Sequence, residues 1–176
     1  MLAAIADRLW QETADTLDRS LAAPPDGDGD GDGWEPLRFT LEALTAVMRR
    51  HPAAAELVPS RVVECDAGLN VTELTLGFLA DQGFEPAQAA DLARFVLCSA
   101  VMLVSTQPGI EILEPGERAE HQRRKRIALA SLPPDRYPHT IASAGYLTDC
   151  EAPDSYIARG FDAIIDGVRA QAPSNR

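Results

Sequence analysis

The sequence is short of positive charge. Its 16 Lys and Arg face 27 Asp and Glu, a formal net charge of −11, whereas a phosphate backbone is gripped by clustered cations. As it stands, the chain is a poor nucleic-acid binder. Cysteine is scarce as well. Cys65, Cys98 and Cys150 are odd in number, widely spaced and without a CxxC pair, which excludes a disulfide or zinc framework and fits reduced thiols in a cytoplasmic protein. Long apolar runs are missing: the longest, "FVLCSAVMLV" from Phe95 to Val104, is about half of a bilayer span. "MLAAIADRLW" holds Asp7 and Arg8 within its apolar stretch and has no basic n-region, so it does not read as a signal peptide. No stretch alternates with period two, so no sheet is expected. No GxSxG, P-loop or GxGxxG occurs, which removes the common nucleophile and nucleotide signatures.

What is present is the makeup of an ordinary globule, 45% hydrophobic and 24% charged over 176 residues, enough for one domain with a core of its own. Thirteen prolines punctuate it. Proline inside a helix costs about 3 kcal/mol, so these positions mark helix ends or first turns. The spacing predicts helices at roughly 1–22, 35–50, 52–58, 61–82, 86–106, 116–131, 136–147 and 154–171, an all-α multi-helix bundle. Residues 1–22 read as a connecting helix, 23–34 as a Gly/Asp-rich linker and 35–172 as the helical core of a single domain. Within the linker, "DGDGDGDG" invites a calcium-loop reading, but a loop begun at Asp26 or Asp28 puts Leu37 or Phe39 at its twelfth position, where a bidentate Glu is required.

Two helices stand out. Between Pro86 and Thr106 apolar residues surround the axis, and a helix apolar all round is buried all round. The last helix carries a stripe at Ile157, Phe161, Ile164, Ile165 and Val168, with Gly160 and Gly167 on nearly one face. Glycine mid-helix costs about 1 kcal/mol, so two on one face suggest another backbone close by. Together the two helices predict one half of a symmetric four-helix dimer interface.

Catalytic parts are sparse. His51 precedes a proline at a helix end, Glu117 and His121 form an i,i+4 pair, and His139 opens a short apolar helix. No acid, base and nucleophile converge, and no enzyme is expected. Substituting His121 and His139 would test a helical enzyme built on those groups. "HQRRKR", His121 to Arg126, reads as a solvated helix face. Trp10, Trp34, Phe39, Phe78, Phe95, Met102 and Tyr146, with a few polar groups among them, suit a pocket for an apolar or aromatic small molecule.

Four segments carry a resemblance: "WEPLRFTLEALTAVMRRHP", "LTLGFLADQGFEPAQAADLARFVLCSAVML", "LPPDRYPH" and "YIARGFDAIIDGVRA". In order and spacing they resemble the C-terminal ligand-binding and dimerisation domain of TetR-like transcriptional regulators, of the tetracycline-repressor type. The resemblance implies that Gly83–Phe84 separates two long helices and that the phrase around Gly160 to Val168 is the dimerising helix. It further implies that "MLAAIADRLW" follows a helix-turn-helix reader, absent here, through which alone operator DNA would be contacted. An inducer in the core would shift the helix at residues 1–22 and change the spacing of two readers. Tetracycline-binding members hold drug and magnesium with His, Gln, His and Glu. The corresponding positions here read near Val58, then Thr75, Cys98 and Thr106, so no metal or other cofactor is expected and the ligand should be more apolar.

The expected pocket residues are Phe39, Leu74, Thr75, Phe78, Phe95, Cys98, Met102 and His139. The expected dimer residues are Leu92, Val96, Val101, Ile157, Phe161, Ile164 and Val168. The overall expectation is a homodimeric, cytoplasmic, ligand-sensing domain of a repressor, with no membrane partner. The alternative is a stand-alone carrier or antirepressor that pairs with an intact regulator.

Overall fold

The computed structural model describes residues 2–22, 33–105, 115–148 and 153–173. Among them every regular element is a helix, as the all-α expectation requires. In chain order these are α1 (Leu2–Ala22), α2 (Glu35–Arg50), two 3₁₀ turns (Pro52–Leu57 and Pro59–Arg61), α3 (Asp66–Asp81), α4 (Pro86–Ser105), α5 (Pro115–Ala130), α6 (Pro138–Ala142), α7 (Ala144–Thr148) and α8 (Pro153–Arg169). Prolines 36, 52, 59, 86, 115, 138 and 153 all stand in the first turn of a helix, where the missing N–H has no intrahelical partner to lose. Linker residues 23–32, Thr106 and Cys150 lie outside the described residues.

Three boundaries differ from expectation. The stretch 52–58 winds as 3₁₀ and not α. The helix expected from 61 starts at Asp66, because Cys65 is extended (φ −136°, ψ 151°) and the chain doubles back so tightly that Gly68 lies against the Val62 carbonyl. The helix expected over 136–147 is broken at Ser143, which ends α6 with its N–H bonded to His139 O at 3.0 Å. The end of α3 is a Schellman closure: Gly83 takes φ +86°, its N–H reaches Ala80 O at 2.9 Å, and Phe84 N–H reaches Leu79 O at 3.1 Å.

The chain divides into two compact units, Met1–Ser105 with Ile157–Arg176, and Thr106–Tyr156. In the first, α1, α2, α3 and α4 pack on one another around Trp10, Leu17, Leu41, Leu44, Met48, Leu79 and Val96. Each such side chain, fully buried, contributes about 1.5–3 kcal/mol. Ile157, Phe161, Ile165 and Val168 of α8 join that core. Arg38 bonds Asp162 at 2.7 Å, the Arg169 guanidinium lies 5.6 Å from the Trp34 ring, and Leu103 fills the space beside Gly160. The close neighbour at Gly160 is therefore a side chain of this same chain; Gly167 has nothing within 4 Å. By length and composition α4 is, among the described residues, the one helix that could cross a membrane, yet eight of its residues from Ala89 to Val104 are buried in this core. In the second unit α5 packs on α6 and α7, and Arg126 Nε donates to Thr148 Oγ1 at 3.3 Å.

A cavity walled by the first four helices

The first unit encloses a cavity of about 460 Å³, within the range of roughly 300–1,000 Å³ typical of small-molecule sites. Its wall draws on four helices and the second 3₁₀ turn: Trp10 from α1, Leu44 from α2, Val58 between the two 3₁₀ turns, Pro59 from the second, Val62 and Val63 after it, Thr72 and Leu76 from α3, and Ala90, Ala93, Arg94, Leu97, Cys98 and Val101 from α4. The α4 wall begins with two small side chains, Ala90 and Ala93, before Leu97 and Val101. The wall is tied at its seams. Trp10 Nε1 donates to Val58 O at 3.0 Å, fixing α1 to the 3₁₀ turn. Arg61 reaches both oxygens of Asp7, at 3.0 and 3.2 Å, a two-point geometry that suits the flat guanidinium.

The polar groups of the wall are few, and most are spent. Trp10 has given its N–H to Val58. Thr72 Oγ1 donates to Gly68 O at 2.8 Å. What remains is the Cys98 thiol and the Arg94 guanidinium, the latter bonded through one NH2 to Asp91 at 2.6 Å.

A second, shallower cleft of about 340 Å³ lies between α1, α2 and α3, over Leu17, Leu37 and Phe78, with Glu73 and Asp81 among its lining residues. Phe78 meets Trp34 edge-on with ring centroids 5.3 Å apart.

The expected pocket residues are divided among several places. Cys98 lines the larger cavity, and Leu74, Thr75 and Phe78 line the cleft. Phe39 packs, half-buried, against the core. Phe95 (56% exposed) and Met102 (61%) stand on the outward face of α4. His139 is exposed on α6, in the second unit. Of the expected dimer residues, Leu92, Val96, Val101, Ile157, Phe161 and Val168 are buried within this chain, and Ile164 is half-buried. Of the positions aligned with the drug and magnesium ligands of tetracycline-binding relatives, Val58 and Cys98 line the cavity, Thr75 lines the cleft, and Thr106 lies outside the described residues. Of the other wall residues, Trp10 is among the aromatics that suit a pocket by sequence, whereas Leu44, Val62, Ala93 and Arg94 carry no such mark. Ala90 and Ala93 are two of five alanines on α4, so nothing in the sequence sets them apart as a cavity wall.

Several titratable groups are paired at the surface. Among the described residues, no three His, Cys, Asp or Glu side chains are grouped to hold a metal. His51 Nε2 lies 3.5 Å from Glu12 Oε2. Burial pushes the Glu12 carboxyl up, but hydrogen bonds from Arg50 and Arg8, with His51 beside them, outweigh it and hold the group below its ordinary value. Hydrogen bonds from Arg123 and Arg124 hold Glu120 down to about 2, so much of the basic "HQRRKR" segment is answered by its own helix.

Comparisons with known proteins fit this arrangement. The family model for the tetracyclin repressor-like, C-terminal domain matches residues 24–172. No curated protein matches the chain. Among solved structures, apo ActR from Streptomyces coelicolor is similar at a TM-score of 0.73 and 20% identity, over 98% of this chain and 76% of ActR. ActR in complex with actinorhodin is similar at 0.69 and 23%, over 98% and 76%. A possible TetR family transcriptional regulator from Streptomyces coelicolor A3(2) is similar at 0.68 and 22%, over 96% and 76%.

Proposed function

Because the chain belongs to the tetracyclin repressor-like C-terminal domain family, we propose that it is the effector-sensing and dimerising domain of a transcriptional repressor relieved by an apolar or aromatic small molecule. The carrying observation is that α1 supplies Trp10 to the cavity wall and is bonded through it to Val58. A ligand entering the cavity therefore presses on the helix that, in such regulators, joins the sensing domain to the DNA reader. Induction requires the ligand to bind one position of α1 more tightly than the other, since only a differential affinity shifts the equilibrium. ActR, which shares the fold, has been solved with actinorhodin bound, in keeping with a small-molecule effector here. Operator DNA would be read by a helix-turn-helix domain joined ahead of α1, because a chain of net charge −11 does not hold DNA by itself.

Dimerisation falls to α4 and α8. Leu92, Val96, Val101, Ile157, Phe161 and Val168 seat the two helices on their own core, and the outward face of α4, with Phe95, Cys98 and Met102 at one-turn spacing, meets the second copy. The whole of residues 1–176 acts as one regulatory domain.

The test is a thermal-shift screen of aromatic small molecules against the wild type and Ala93→Phe, whose ring would occupy the cavity. A ligand at 100 times its Kd stabilises the folded state by about 2.7 kcal/mol. Such a shift in the wild type and none in the filled variant supports the reading. Equal shifts in both, or no shift with any compound, overturn it. Light scattering should give twice the 19.0 kDa of one chain, and Phe95→Glu should return a single chain.

A further inference from the structure

We infer that the cavity selects amphipathic anions: ligands with an apolar, preferably aromatic, body and one acidic group held by Arg94. The inference rests on the reading of this cavity as the effector site and adds the chemical class of the effector. Among the described lining residues Arg94 is the one charged side chain, and none of them is a carboxylate. Its donors are also the ones left over. The indole N–H of Trp10 and the hydroxyl of Thr72 already donate to backbone carbonyls, so the side-chain groups that can donate to a ligand are the guanidinium and the weakly donating Cys98 thiol. Arg94 uses one NH2 on Asp91, and a guanidinium has five N–H donors.

Position matters as much as count. The Arg94 side chain is 75% exposed, whereas Ala93 and Leu97 beside it in the sequence are buried. The cation therefore stands at the mouth and the apolar wall lies behind it. An acidic group bound there keeps part of its hydration and escapes the heavy cost of burying a charge, while the body leaves water. A cationic ligand finds no counter-charge among the described lining residues, and the nearby Asp91 carboxylate is already bonded to Arg94. The 340 Å³ cleft has the opposite sign, with Glu73 and Asp81 and no cation among its described lining residues, so charge preference also tells the two sites apart.

The experiment uses two fluorescent probes with one aromatic body, 1-anilinonaphthalene-8-sulfonate and the neutral N-phenyl-1-naphthylamine. Each is titrated into the wild type, Arg94→Gln and Ala93→Phe. Arg94 and Asp91 form a surface pair, so Arg94→Gln should fold, which far-ultraviolet circular dichroism checks. We expect Arg94→Gln to weaken the sulfonate probe roughly three- to tenfold, the range of a charge-assisted hydrogen bond at a wet site, and to leave the neutral probe unchanged. Ala93→Phe should abolish both. If both probes bind in the cavity and Arg94→Gln changes neither, the anion selection is overturned and the effector site stands. If neither probe binds, or Ala93→Phe leaves both affinities intact, the inference and the reading beneath it fall together.

Discussion

Replacing Gly68 by Ala sets two effects of known size against each other. Inside a helix the change should gain about 0.5–1 kcal/mol, because glycine loses more backbone freedom on folding. At Gly68 the new methyl would fall well inside contact distance of the Val62 carbonyl oxygen, with the carbonyl carbon at 3.0 Å and Val62 Cα at 3.1 Å. All three are backbone atoms, so no rotamer change makes room and the turn between the second 3₁₀ segment and α3 must open. Forced overpacking costs typically about 1–3 kcal/mol, which exceeds the helix gain and leaves a net loss of about 1–2 kcal/mol. In a chain of this size 1 kcal/mol moves the melting temperature by roughly 2–4 °C, so Gly68→Ala should melt roughly 2–8 °C lower. Gly77, on the same helix, has nothing within 4 Å of its would-be Cβ, and Gly77→Ala should melt roughly 1–4 °C higher. Calorimetric melts of the two variants beside the wild type decide it. If Gly68→Ala stabilises as Gly77→Ala does, the close approach at Val62 is refuted. Val62 also lines the cavity, so the same opening should change ligand affinity in Gly68→Ala and leave it untouched in Gly77→Ala.

Trp10→Phe removes the indole donor to Val58 O, but that carbonyl still accepts from Arg61 N–H at 3.2 Å, so urea unfolding should show a loss near the low end of the hydrogen-bond range, about 0.5 kcal/mol. An unchanged midpoint would mean the indole bond does not hold α1. Glu12 has a folded-state pKa below its ordinary value of 4.5, so its contribution is present above pH 4.5 and is lost as pH falls through the folded value. Melting temperatures of wild type and Glu12→Gln should therefore differ at pH 7 and converge in acid. A gap that stays constant from pH 7 to pH 3 would show that the Arg50, Arg8 and His51 contacts do not act on the charged form.

Much of the fold was legible because proline and amphipathic stripes carry phase. Proline has no N–H and a fixed φ, so Pro36, Pro86 and Pro138 could only open helices or end them, and they open them. The stripe at Ile157, Phe161, Ile164, Ile165 and Val168 stands apart from Asp162, Asp166 and Arg169, and in the structure it packs on this chain's own core, with Ile164 half-buried. Helix α4 carries no such phase. Apolar residues at every angle do not say which face lies inward, and the structure turns Leu92, Val96 and Val101 inward and Phe95 and Met102 outward. The break before α3 was hidden for a different reason: it depends on Gly68 meeting Val62, a contact between backbone atoms that no propensity records.

The sequence by itself determined that this chain is helical, where most of its helices begin, and that it resembles a regulator's sensing domain, because those properties follow from local backbone chemistry and from the order of residues along the chain. Tertiary structure alone decided where there is empty space and which charge overlooks it. A cavity is the volume left when several helices meet, so it has no representation in any one of them. Ala90 and Ala93 become a cavity wall only because the fold sets Trp10, Leu44 and Val58 around the same space. Arg94 stands over that space as the one charged group among the described lining residues only because α4 is turned to bring it there.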